Sequence, residues 1–388
     1  MWGFTSGVQH GRREFLRCGA LVAAGAALAG CGSNRSAPPG ARPGSTVWTY
    51  EPSGWFRGVR FARDTVLVVT LEHLIGLDAA TGKRRWQQPA LTAGTSDDIA
   101  VHAGVAYVCG NRDEVGAAQT VRAIDLRSGV VNWTFDAPAE TVLNGAYGVL
   151  GGALHLVVYN QRRTRREIWA LDLDTKQLRW QVDALGDGGG SAVHVPGAGN
   201  LVYNYAGGDV VALRTDRGGV AWSSRRADSG MRTTLGSGLI AGAVVVYEGT
   251  TVTGLDPRTG APSWTVPALP QGASPVADLG GGDVYYVCDK RQLSALRPGN
   301  TVSPLWSSPV SATSDAVNPG GLATPDTVFF ADNAVLRAID AKNGNQRWTH
   351  ALAQHSTGSD IRMAAGAGLC YFNADDFLTH PVVTAVVV

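Results

Sequence analysis

Leu77-Asp78-Ala79-Ala80-Thr81-Gly82 is followed, four residues after the glycine, by Trp86. An alternating apolar run ends at the Asp. Its carboxylate can accept backbone N–H groups across a tight turn, and Gly supplies the positive φ that closes it. The chain then returns as a second strand carrying Trp, which makes a β-hairpin. The phrase recurs as Ile124-Asp125 with Ser128-Gly129 before Trp133, Leu255-Asp256 with Thr259-Gly260 before Trp264, and Ile339-Asp340 with Asn343-Gly344 before Trp348. Leu171-Asp172 precedes Trp180, with Lys176 in place of Gly. Before Trp222, Arg214 replaces the Asp and Gly218 stays. Before Trp306 the turn is longer, Arg297-Pro298-Gly299-Asn300.

Trp48, Trp86, Trp133, Trp180, Trp222, Trp264, Trp306 and Trp348 form a ladder with separations of 38, 47, 47, 42, 42, 42 and 42 residues. Upstream of the hairpins lie apolar strands such as Val66–Val69, Ala106–Cys109, Leu156–Tyr159 and Val244–Tyr247, and before them small-residue strands. Four strands per repeat describe a propeller blade. No long stretch has helical periodicity, which excludes a mixed α/β fold. After Trp348 come three more strand candidates, 361–365, 368–372 and 382–388, while Trp48 stands on a lone strand. The expected fold is therefore all-β: an eight-bladed propeller with four antiparallel strands per blade, the last blade closed by the N-terminal strand. A ladder Trp packed between blades buries about 150–250 Å². At about 25 cal/mol/Å² that is roughly 4–6 kcal/mol gross. The tryptophans are thus structural residues.

The first thirty residues read as an address. Arg12-Arg13 opens a basic run, an uncharged stretch from Cys18 to Gly30 follows, and Leu28-Ala29-Gly30-Cys31 ends it. That order makes a secretory signal, and the apolar stretch is shorter than the roughly 20 residues of a spanning helix. Arg12-Arg13 followed by Phe-Leu-Arg resembles the signal of the twin-arginine export route. Leu-Ala-Gly-Cys resembles a bacterial lipobox, which makes Cys31 the lipidation site. The expected division is 1–30 signal, 31–45 lipidated Cys and flexible tether, and 46–388 propeller. Export would remove Cys18 and commit Cys31, leaving Cys109, Cys288 and Cys370 as free, buried thiols. The whole chain of 388 residues carries 33 Lys+Arg and 32 Asp+Glu, a net charge of +1. That near-balance gives no case for nucleic acid as a partner. A monomer is expected.

The Asp-Xaa-Xaa-Thr-Gly-Xaa-Xaa-Xaa-Trp phrase, spread over residues 46–388, resembles the pyrroloquinoline-quinone-like (PQQ-like) repeat. The Trp is not followed by Asp as in WD40 repeats, and there is no double-Gly signature of kelch. The resemblance implies one of two branches. Quinoprotein alcohol and sugar dehydrogenases hold PQQ and Ca²⁺ in the central funnel. BamB-like lipoproteins are non-enzymatic eight-bladed scaffolds. No two cysteines here are adjacent, unlike the Cys-Cys pair of the alcohol dehydrogenases. No Cys-Xaa-Xaa-Cys-His haem site exists, and the eight histidines form no close pair. The expectation is an extracytoplasmic, lipid-anchored, non-enzymatic scaffold for protein or cell-envelope partners, with neither PQQ nor Ca²⁺. The alternatives are a quinoprotein-like dehydrogenase and a ligand-sensing propeller.

Two loops between second and third strands are long: Gly110–Thr120 with Arg112, and Asn160–Glu167 with Arg162, Arg163, Arg165 and Arg166. Extra loop length on a rigid scaffold is where function tends to sit, and clustered Arg suits an acidic partner, phosphate or lipid headgroups. The competing reading is a solvated surface loop. Trp55, Arg57, Asp97, Asp98, Asn144, Asp187, Arg232, Asn318, Ser359 and Asp360 fall on the links between blades. They are candidates for the funnel rim, where mixed polarity suits a small polar ligand or a cation. The competing reading there is a hydrated channel.

Overall fold

The computed structural model describes residues 40–89, 99–111, 119–183, 192–195, 200–204, 209–224, 233–248, 251–266, 274–278, 284–288, 292–298, 304–310, 321–332, 335–352, 361–373 and 382–388. Every regular element among them is a β-strand. Seven sheets are each built from four consecutive antiparallel strands. Blade 1 covers residues 56–89, blade 2 99–136, blade 3 141–183, blade 4 192–224, blade 5 233–266, blade 6 274–309 and blade 7 321–351. One further sheet is composite: Met363–Gly366, Leu369–Asn373 and Val383–Val387, with Thr46–Tyr50 from the other end of the sequence as its outer strand. A count of eight blades therefore needs a qualification. Seven are self-contained, and the remaining sheet exists only as a join between distant parts of the chain.

The first strand of each sheet is innermost. Phe56–Ala62 of blade 1 touches Met363–Gly366, and the inner strands of blades 2 to 7 follow in order back to Met363–Gly366. Blades 1 and 2 share a core of Leu67, Val69 and Trp86 against Ile99, Ala106 and Ile124. The sheets thus form a closed ring. The core is a series of clusters between neighbouring sheets, because each sheet buries both faces.

The ladder tryptophans sit on outer strands and reach into the next sheet. Indole Nε1 donates to a turn carbonyl from Trp48 to Ala79, Trp86 to Leu126, Trp180 to Thr215, Trp222 to Pro257 and Trp306 to Ala341, at 2.9–3.0 Å. The ring lies flat on the turn glycine. A Cβ on Gly129 (φ 74°) would stand 2.5 Å from Trp86 Cγ, and Gly82, Gly218, Gly260 and Gly344 meet their tryptophans as closely. Opposite each Trp in its own sheet stands Gly76, Ala123, Ala170, Ala212, Gly254, Ala295, Ala338 or Ala385. Only a small residue leaves room for the indole to fold over the third strand.

Two tryptophans depart from the expected burial. Trp133 and Trp264 are half-buried. Trp133 meets the turn in which Lys176 replaces Gly. Lys176 adopts φ 61° and places its ammonium 4.9 Å from the ring centroid. Trp264 stacks on Tyr285 of the next blade, at 6.1 Å.

In the turns, Asp Oδ1 accepts the N–H groups two and three residues on. Asp78, Asp125, Asp172, Asp256 and Asp340 all do so, at 2.7–3.2 Å. The join of the composite sheet repeats the turn without the covalent link. Gly44 N–H donates to Val387 O (2.8 Å) and Val387 N–H to Ser45 O (3.1 Å), as Gly82 does to Asp78 and Asp78 to Lys83. A Cβ on Gly44 would stand 3.1 Å from the Trp348 ring, and Ala41 packs on the neighbouring core. Residues 41–45, which the sequence places in the tether, therefore belong to the ring. Residues 1–39, with Arg12, Arg13 and Cys31, lie outside the described residues. Cys109 and Cys370 are buried, and burial pushes the Cys370 thiol up. The Cys288 side chain lies outside the described residues.

Candidate functional site

The turns with Asp and Gly close one face of the ring. Links between blades and loops between second and third strands form the other. The inner strands line the axis between the two faces. Two of them carry a bulge where the sequence places rim residues. Phe56 pairs with Thr70 and Gly58 with Val69, so Arg57 is the extra residue. Leu143 pairs with Val158 and Gly145 with Val157, so Asn144 is the extra residue. A bulge re-aims the side chain it leaves unpaired. Asn144 is exposed and Arg57 half-buried on these axis-lining strands. Trp55, on the link entering blade 1, is 52% exposed. Its carbonyl accepts Leu71 N–H (2.9 Å), which ties the link to the neighbouring loop. Thr70 Oγ1 accepts from His73 N–H (2.9 Å) and tightens that loop to Leu71 and Glu72. Asp97, Asp98, Asp187, Arg232, Asn318, Ser359 and Asp360 lie outside the described residues.

The arginine loop is shorter than the sequence implies. The second and third strands of blade 3, Ala153–Asn160 and Arg165–Asp172, stay paired to Asn160↔Arg165. The turn is only Gln161-Arg162-Arg163-Thr164, with Thr164 at φ 51°. Its anchor is Glu167, 1% exposed. Glu167 Oε2 accepts Trp169 Nε1–H (2.8 Å), and Oε1 accepts Asn160 Nδ2–H (3.1 Å) and Arg163 Nη1–H (3.3 Å). Arg165 lies 3.7 Å from Glu167 and pairs with Asp183 at 2.5 Å. A buried carboxylate is costly unless it is hydrogen-bonded and paired, and these donors meet that need. Arg163 and Arg165 therefore serve blade 3 itself, while Arg162 projects exposed. Gln161 N–H donates to Glu140 O (2.7 Å) and Asn160 Oδ1 accepts Arg163 N–H (3.1 Å). The turn is thus held from both sides.

The companion loop starts from Asn111↔Gln119. Arg112 lies outside the described residues, so of the two long loops only that of blade 3 is described in full. Gln119 Oε1 accepts Leu143 N–H (3.1 Å), which links blade 2 to the bulge at Asn144. Sequence reading missed Glu167 and Gln119. Glu167 had a visible signal: a carboxylate opening the otherwise apolar run Ile168-Trp169-Ala170-Leu171.

Charge on the turn face is ordered differently. Burial raises the Asp78 carboxyl, but hydrogen bonds from Arg85 and from the Thr81 side chain and backbone together hold it below its ordinary range. Hydrogen bonds from the Ser128 side chain lower Asp125, backbone N–H groups lower Asp172 and Asp256, and Arg347 lowers Asp340. Arg85 bridges Asp78 (2.6 Å) and Asp64 (3.0 Å).

Among the described residues no three His, Cys, Asp or Glu side chains converge as a metal needs. Cys109 and Cys370 stand on strands of different sheets. No helix of the described residues is long and apolar enough to cross a membrane.

The chain matches the family described as outer membrane protein assembly factor BamB over residues 39–162, 117–274, 157–321 and 241–370. In fold it is similar to BamB from Moraxella catarrhalis, at 14% identity and a TM-score of 0.59, covering 89% of this chain and 99% of that one. It is also similar to quinohemoprotein alcohol dehydrogenase ADHIIG from Pseudomonas putida HK5, at 14% identity and a TM-score of 0.62, covering 88% of this chain and 76% of that one. Over 116 residues it is 33% identical to the serine/threonine-protein kinase AfsK of Streptomyces griseus, which is 28% of this chain and only 13% of the kinase.

Proposed function

Because the chain belongs to the family of the outer membrane protein assembly factor BamB, a PQQ-like repeat β-propeller, we propose that it is an extracytoplasmic scaffold. In this reading it is tethered to the membrane through Cys31, has no catalytic role, and engages an envelope protein through its loop-bearing face. The observation that carries the reading is the stapled turn of blade 3. Asn160 and Glu140 fix the backbone of Gln161–Thr164 and Glu167 holds the Asn160 and Arg163 side chains, so presenting Arg162 costs little backbone ordering on binding. An acidic segment of a partner would meet an exposed guanidinium carried on a preorganised backbone. The extent of the match supports the scaffold branch: the fold covers almost all of the Moraxella protein and about three quarters of the dehydrogenase.

The test is co-isolation of crosslinked partners from solubilised membranes with wild-type protein and with Arg162→Ser. The reading expects a partner whose recovery falls in the variant and falls less with salt than in the wild type. Equal recovery at every salt concentration overturns the role of Arg162. Dye-linked alcohol oxidation after adding PQQ and Ca²⁺ would overturn the non-enzymatic role. The kinase match favours a second reading, a ligand-sensing domain. It expects a small molecule to raise the melting temperature of the isolated protein.

A further inference from the structure

The point at which the sequence enters the ring fixes which side faces the tether. Gly44 and Ser45 bond to Val387 at the position of a turn. The segment before them therefore leaves from the turn face. Fewer than ten residues separate Cys31 from Gly40, and an extended chain spans at most about 3.6 Å per residue. A lipid on Cys31 would hold the turn face within about 30 Å of the membrane.

The same face sorts its charges. The five turn Asp side chains bend inward to accept N–H groups. The bases of the turns point out: Arg42, Lys83, Arg127, Arg217, Arg258 and Lys342 are exposed. Arg127 and Lys342 are 84% and 77% exposed at the side chain. Against them stand the exposed acids Asp174, Asp216 and Asp326. On the described loop face the exposed acids Glu51, Glu72, Asp136, Glu140 and Asp183 outnumber the exposed bases Arg162 and Arg163. Near-neutral net charge therefore hides a polarity along the propeller axis.

We propose that the turn face is the membrane-facing side of the propeller and binds anionic lipid headgroups through the exposed bases of its turns. The loop face then points away from the bilayer, toward partners. The proposal rests on the membrane-tethered reading above for its orientation, and on the turn charges for its binding. The Asp-and-Gly turn makes this economical, because each carboxylate needed for the fold is withdrawn from the surface.

The test uses the full chain with Cys31→Ser, so that no lipid anchor contributes. Partitioning is measured on phosphatidylcholine vesicles with and without roughly one third phosphatidylglycerol, a mixture that sets a negative surface potential. The proposal expects binding that needs phosphatidylglycerol and falls with salt. Removing Arg127, Arg258 and Lys342 together (each to Ser) should weaken it about a hundredfold, since each base near the surface contributes about a fivefold factor. Their side chains make only exposed ion pairs, so melting should be unchanged. Arg162→Ser, on the loop face, should leave vesicle binding unchanged. Equal binding to both vesicles, full binding by the triple variant, or an equal loss in Arg162→Ser would each overturn the proposal. Partner capture through Arg162 is read separately, so one reading can fail while the other stands.

Discussion

Replacing Gly129 with Ala tests how the ring is locked. Gly129 sits at φ 74° and carries the Trp86 indole, whose Nε1 donates to Leu126 O at 2.9 Å. An Ala there pays about 1–2 kcal/mol for the left-handed conformation. Its Cβ would also lie 2.5–2.7 Å from three Trp86 atoms, so the ring must lift. Full burial of an indole is worth roughly 4–6 kcal/mol. Losing a quarter of it, with weakening of a hydrogen bond worth about 1 kcal/mol, brings the cost to about 3–5 kcal/mol. For a domain of this size, unfolding entropy of about 2 cal/mol/K per residue turns that into a fall in Tm of about 4–7 °C. Differential scanning calorimetry of Gly129→Ala reads it directly. Lys176→Gly is the internal control, because Lys176 already occupies the glycine position at φ 61° beside Trp133. Relief of strain there roughly offsets the lost cation–π contact of about 0.5–1 kcal/mol, so its Tm should hardly move. An unchanged Tm in Gly129→Ala, or an equal fall in both variants, would refute the docking argument.

The other perturbations are smaller or more local. Trp306→Phe should cost about 1 kcal/mol more than Trp348→Phe in urea unfolding, because Trp306 Nε1 donates to Ala341 O whereas Trp348 Nε1 has no acceptor among the described residues. Glu167→Ala should cost about 2–4 kcal/mol and raise amide exchange over residues 161–164, while Glu167→Gln, which keeps an acceptor, should cost less. The turn Asp carboxyls titrate lower in the folded state than in the unfolded one. The unfolded chain therefore takes up protons first, and their stabilisation is complete above about pH 5 and lost progressively below it. Tm should stay level from neutral pH to about pH 5 and drop at lower pH, with Asp125→Asn less acid-sensitive than wild type.

Much of this architecture is legible because it repeats. Asp78, Gly82 and Trp86 perform one mechanical task, and seeing the task several times turns a weak local signal into a fold. The small residue two positions before the Asp, as in Gly76 or Ala123, was equally visible and marks where the indole lies. The arginine loop was harder. Four arginines in five residues read as one exposed cluster, yet two of them answer a single buried glutamate. Sequence shows charge but not which way a strand turns its carboxylate. The join at Gly44 was hidden for a similar reason. Residues 41–45 are rich in Gly, Pro and Ser like a tether, and only their pairing with Val387 gives them a place. Arg57 and Asn144 were placed by counting links between blades. That they fall on bulges depends on strand register, which composition does not encode.

The scaffold reading turns on which face meets another protein. A photo-crosslinking amino acid placed at Arg162, and in a second variant at Arg258, would report the neighbours of the two faces in intact cells. The account predicts a discrete protein adduct from position 162 and lipid adducts, without that protein, from position 258. A protein adduct from position 258 alone, with none from position 162, would contradict it.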